Sequence, residues 1–110
     1  MKLPDREKAY IPLLKIKDYL LSETHPIGKS KAKFFRSFGF NEMNADLLKQ
    51  GLLTIARTEE VEEAVSSMHG VKYVIDGLLQ TPAGEAVKVR TIWIIDKGHT
   101  SPRFVTTYPI

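Results

Sequence analysis

Residues Val87 to Ile95 read VKVRTIWII, and the placement of that stretch decides the fold. It is dense in β-branched and aromatic residues, the types that suit a pleated strand. Ile92-Trp93-Ile94-Ile95 is apolar on both faces, so the strand belongs in the middle of a sheet, with Trp93 anchoring the core. Upstream, Val71-Lys72-Tyr73-Val74-Ile75 has the same character, and Thr81-Pro82-Ala83-Gly84 between the two is a turn signal. Downstream, Lys97 to Pro102 marks a second turn, and Phe104 to Tyr108 is a third strand. Three consecutive strands on short connections predict an antiparallel meander.

The first half of the chain has a different period. Leu13, Leu14, Ile16, Tyr19 and Leu20 recur at helical spacing, with Pro12 suited to the first turn. Ser22 to Pro26 ends that helix, because the residue before a proline is pushed out of the helical region. A second helix is expected from about Lys29 to Phe38, stopped by Gly39. A third covers Ala45 to about Arg57, capped by Asn41 or Asn44, with Gly51 hinting at close packing. Residues 58–70 are open between helix and edge strand. Helices that precede a meander must cover one of its faces. The expected fold is therefore α+β, with N-terminal helices packed on a C-terminal antiparallel β-meander.

Composition narrows the function classes. The 110 residues suit a single domain, and an apolar share of 43% is enough for a core. There is no cysteine, and the three histidines (His25, His69, His99) lack ligand-like spacing, so neither a metal site nor a cofactor is expected. No apolar run reaches membrane-spanning length, and MKLPDREKAY lacks the apolar segment of a signal peptide, which points to a cytoplasmic protein without a membrane partner. Sixteen basic residues against thirteen acidic ones give a charge of +3, a mild excess. It is concentrated: four cations and no acid lie between Lys29 and Arg36.

That basic segment belongs to HPIGKSKAKFFRSFGF, residues 25–40. A helix start offers free N–H groups to an anion, and His25 stands just before it. Lys29, Lys33 and Arg36, at steps of four and three, share one helix face, whereas Lys31 is about 200° from Lys29. On the last strand, strict alternation puts Phe104, Thr106 and Tyr108 on one side, and Val105 and Thr107 on the other. Arg90 and Lys88 alternate on the central strand and could line a sheet face. Each feature also has a plain reading: a capping histidine, a solvated helix face, good strand formers.

HPIGKSKAKFFRSFGF together with VRTIWII…PRFVTTYP resembles a family of small uncharacterised bacterial domains, over essentially the whole chain. The arrangement is also similar, more distantly, to ribonuclease toxins of the barnase–EndoU–colicin–RelE superfamily, especially the ribonuclease A-like toxin domains of contact-dependent inhibition systems. Those join a histidine and an arginine from the helical half to a T-x-Y on the last strand. The resemblance implies His25, Arg36, Thr106 and Tyr108 as catalytic residues, and Lys31 falls in the family's recurring core. The helix face adds Lys29 and Lys33, and the strand adds Arg90, as further candidates for binding substrate. The resemblance implies metal-independent RNA cleavage, with His25 as base or acid and Arg36, or Lys31, offsetting phosphoryl charge. It further implies a small acidic antitoxin-like partner protein. The alternative is a non-catalytic module that binds RNA, a nucleotide or a protein through the basic helix 29–38.

Overall fold

A computed structural model describes residues 1–110, and its core element is the strand singled out above. Strand β3 (Ala86–Asp96) pairs along its full length with β2 (Gly70–Gln80), from Gly70 opposite Asp96 to Gln80 opposite Ala86. Its other edge pairs with β4 (Arg103–Pro109). The remaining strand, β1 (Val61–Ser67), pairs with β2, giving an antiparallel sheet in the order β1-β2-β3-β4. The fold is α+β, with the helices N-terminal to the strands. No helix is long and apolar enough to cross a membrane.

The sheet has four strands rather than the expected three, because Val61–Ser67, within the stretch left open at 58–70, is a strand. That strand shows no alternation to read: six of its seven residues are exposed. The chain turns extended at Glu59 (φ −92°, ψ 157°), where helix α2 (Ala45–Thr58) ends. Glu62 and Glu63 keep this outer strand charged, a usual guard against edge-to-edge association.

A second departure lies in β4. Trp93 pairs with Phe104 but Ile92 pairs with Thr106, so Val105 is an extra residue. This bulge breaks the alternation. Phe104 and Thr107 are both fully buried on the helix-covered face, whereas Thr106 and Tyr108 point to the other face beside Ile92 and Arg90. Grouping Phe104 with Thr106 and Tyr108 is thereby corrected.

On the covered face, Trp93 and Phe104 meet edge to face, with ring centres 5.2 Å apart. The Trp93 Nε1–H donates to Thr91 Oγ1 (2.8 Å), whose hydroxyl donates to the Ile75 carbonyl (2.7 Å), so the buried polar atoms are satisfied. Helix α2 lies across β2 at two glycines. A Cβ on Gly51 would come within 2.4 Å of Leu79 Cδ1, and one on Gly77 within 2.9 Å of Ile55 Cγ1. The close packing hinted at by Gly51 is real. Asn41 and Asn44 cap the 3-10 turn Glu42–Asn44 that leads into α2, each side chain accepting a backbone N–H of the other's turn (2.8 Å).

Leu13 to Leu21 is not an α-helix. A 3-10 turn (Leu13–Lys15) is followed by one π-helical turn (Ile16–Leu20), closed by the Leu21 N–H on the Ile16 carbonyl at 2.8 Å. Helix α1 (Lys29–Ser37) then runs as expected to Phe38 and to Gly39 at φ 96°. The start of α1 nearly touches the π turn: a Cβ on Gly28 would sit 2.1 Å from the Tyr19 carbonyl oxygen. Arg36 locks the same junction. Its Nη2 and Nε donate to the Leu21 carbonyl (2.7 and 3.2 Å), Nη1 donates to Glu42 (3.0 Å), and Glu23 lies 3.1 Å from Nε.

Two stability changes follow from this junction. Gly28→Ala should lower unfolding stability by about 1–3 kcal/mol, because backbone rather than a movable side chain blocks the new methyl. Arg36→Met should cost about 2 kcal/mol, because it strips the Leu21 carbonyl of two charge-assisted bonds. Urea unfolding checks both, and unchanged midpoints would mean the junction carries no such constraint.

Candidate functional site

The β4 edge of the sheet is covered by the N-terminal half of the chain. Tyr10 forms a parallel bridge to Arg103, its N–H bonding the Pro102 carbonyl (3.0 Å) and its carbonyl accepting from Phe104 (3.0 Å). Further along, the Tyr19 hydroxyl meets Thr106 Oγ1 at 2.9 Å, joining residues 87 positions apart in sequence. Lys31 Nζ donates to the Thr107 carbonyl at 3.2 Å and lies 5.3 Å from the centre of the Tyr108 ring.

These contacts leave a cleft of about 730 Å³ between the π turn, the start of α1 and β4. Its polar lining is Lys15, Asp18, Tyr19, His25, Arg103 and Thr106, and its mouth carries the apolar Leu14 and Ile27. The His25 and Tyr19 rings meet edge to face at 5.1 Å. His25 and Thr106, chosen from opposite ends of the sequence, therefore line one cavity.

The local fold sets the state of His25. Its Nδ1 accepts the backbone N–H groups of Ile27 (3.1 Å) and Gly28 (3.0 Å). An acceptor at Nδ1 places the proton of the neutral ring on Nε2, so the free nitrogen is a donor. The capping and site readings of His25 thus describe one residue: the cap orients the ring.

The cleft lining sets Lys15 and Arg103 against Asp18. Burial, and then the neighbouring Arg103 charge, push the Lys15 ammonium pKa down, and Lys15 Nζ sits 4.9 Å from the Tyr19 ring centre. Burial likewise lowers Lys31. An anion entering the cleft would relieve the penalty on Lys15. Arg103 is steadied by Asp96, with Nε and Nη2 each 3.1 Å from a carboxylate oxygen. Arg90 is bound bidentately by Asp76 (2.8 Å twice), which raises its pKa and holds Asp76 below the carboxylate range. Across the strand pair Arg90 faces Tyr108.

The expected residues divide cleanly. His25 and Thr106 line the cleft, while Tyr108, Lys31 and Arg90 adjoin Thr106 along the edge and outer face of β4. Arg36 is not in the cleft lining; Leu21, Glu23 and Glu42 occupy it. Lys29 and Lys33 are exposed and make no ion pair. The helix-face comparison favoured Arg36 over Lys31; neither lines the cleft, and of the two it is Lys31 that reaches β4, at the Thr107 carbonyl and the Tyr108 ring. The difference comes from how α1 is rotated: Ala32 and Phe35 are its buried residues, and Lys31 lies one turn before Phe35. Tyr19, Lys15 and Arg103 were missed. Tyr19 reads as part of an apolar stripe, and only the π turn swings its hydroxyl to β4.

No curated protein matches this chain in sequence. In structure it is similar to a chain of the contact-dependent growth inhibition toxin–immunity protein complex from Klebsiella pneumoniae 342. The TM-score is 0.74, over 94% of this chain and 95% of that one, at 17% identity. A likeness at that identity is one of fold. The family model that matches residues 2–110 is DUF6883, a domain of unknown function, and the chain belongs to that family.

Proposed function

We propose that this protein is a toxin-like endoribonuclease that cleaves RNA without a metal ion, in the cytoplasm, and is restrained by a protein partner. The observation that carries the proposal is the meeting of His25 and Thr106 in one cleft flanked by Lys15 and Arg103. The fold it shares with a chain from a toxin–immunity protein complex supports the toxin-like part.

The reaction is an internal transfer. Solvent takes the proton of the ribose 2′-oxygen, which bonds to the adjacent phosphorus. The bond to the 5′-oxygen breaks, and solvent returns a proton to that oxygen, leaving a 2′,3′-cyclic phosphate. His25, with Nδ1 engaged by two N–H groups, donates from Nε2 to a phosphoryl oxygen. Accepting a proton at Nε2 would instead require one on Nδ1, facing those two donors. His25 therefore fits the role of phosphate holder better than that of base. Thr106 gives a second hydrogen bond, and Lys31 replaces Arg36 as the cation on the helix side. Tyr108, 36% exposed, is open to stacking by a base.

The same lock on His25 favours a second reading, a module that holds an RNA phosphate without breaking it. One experiment separates the two. Purified protein is incubated with total RNA in EDTA, beside His25→Ala and Thr106→Val, with thermal unfolding to show that both variants are folded. Wild type should yield fragments ending in cyclic phosphate, and each variant should be slower by about 100-fold or more, the usual cost of a lost phosphate-directed donor. RNA retained by wild type but left intact would establish the binding module. Equal cleavage by wild type and both variants would remove the cleft from the mechanism.

A further inference from the structure

A second cavity of about 600 Å³ lies on the open face of the sheet, lined by Ser67, His69, Lys72, Ile94, Asp96 and Arg103, with Val65 at its rim. Its floor follows from strand register. Val65, Lys72, Ile94 and Arg103 stand opposite one another across all four strands, so their side chains share one face. Arg103 is also part of the His25 cleft lining. One guanidinium, fixed by Asp96, is thus the wall common to both cavities.

Resting on the ribonuclease reading, we propose that the second cavity is a subsite for the neighbouring phosphate of single-stranded RNA, which runs from the His25 cleft over Arg103 to Lys72. The spacing suits a strand continuing in this direction. Arg103 lies about 7 Å along the strand from the row of Thr106, and Lys72 two strands, about 10 Å, beyond it. The chemistry suits a phosphodiester. Lys72 and Arg103 supply two cations against the single carboxylate of Asp96, which Arg103 already occupies. Ser67 and His69 add hydrogen-bonding groups, and Val65 and Ile94 give an apolar surface for the sugar and base. Lys72 is exposed and makes no ion pair, so its charge is free for a ligand. RNA would then be held by two sites on separate elements, with length as the selected property.

The test is binding of labelled 2′-O-methyl oligonucleotides, whose blocked 2′-oxygen prevents cleavage, to the full chain in EDTA by fluorescence anisotropy. A hexanucleotide should bind at least tenfold more tightly than a dinucleotide. Lys72→Gln should weaken the hexanucleotide about fivefold and lower its salt slope by about 0.7, the share of one phosphate contact, with the dinucleotide unaffected. Lys49→Gln on α2 is the matched control and should change neither. If the hexanucleotide gains nothing over the dinucleotide, or Lys72→Gln behaves like Lys49→Gln, the second subsite is overturned while the cleft stands. If neither length binds, the RNA reading falls with it.

Discussion

An edge strand cannot be left with its backbone groups bare without inviting association, and the way β4 meets that constraint shapes the rest of the molecule. Tyr10 adds a short parallel bridge to one end of β4, and Lys31 reaches the Thr107 carbonyl at the other. Between them Tyr19 lays its hydroxyl on Thr106. Covering the edge therefore draws the helical half onto the last strand at three points. The cleft is the space that remains between them, so site and scaffold share one cause.

The shape of the cleft depends on irregular backbone at both sides. A π turn on the helical side rotates Tyr19 toward the sheet, and a bulge at Val105 turns Thr106 and Tyr108 to the outer face. Both devices are over-represented at functional positions, where regular geometry would aim a side chain the wrong way. Gly28 permits the close approach of α1 to the π turn. The two backbone N–H groups at that approach fix the His25 ring. Arg36, attractive as a catalytic cation, instead ties the π turn to α1 and to the turn before α2.

What could be read beforehand was whatever depends on local pattern. Ile92 to Ile95 marks an inner strand, and β3 does have neighbours on both edges, while Gly39 and Asn41 act where a glycine stop and an asparagine cap belong. What could not be read depends on tertiary contact. No local feature distinguishes a π turn at Ile16–Leu20 from an α-helix, and β1 carries no alternation because nearly all of it is exposed. The bulge is invisible because alternation assumes an unbroken ladder. Of the cleft lining, His25 and Thr106 were legible from the two ends of the sequence. The choice between Arg36 and Lys31 was not, since it turns on how α1 is rotated against the sheet. Ala32 and Phe35 settle that rotation by being the residues buried.

The central claim is that both halves of the chain contribute to one anion-holding cleft. Its most direct test is a titration of the nitrogen-15-labelled protein with inorganic phosphate, followed by magnetic resonance at the His25 ring and the backbone amides. The His25 Nε2–H, Thr106 and Arg103 signals should move together with one midpoint, and Nδ1 should remain an unprotonated acceptor. Shifts confined to α1 around Lys29 and Lys33, with Thr106 unmoved, would contradict it.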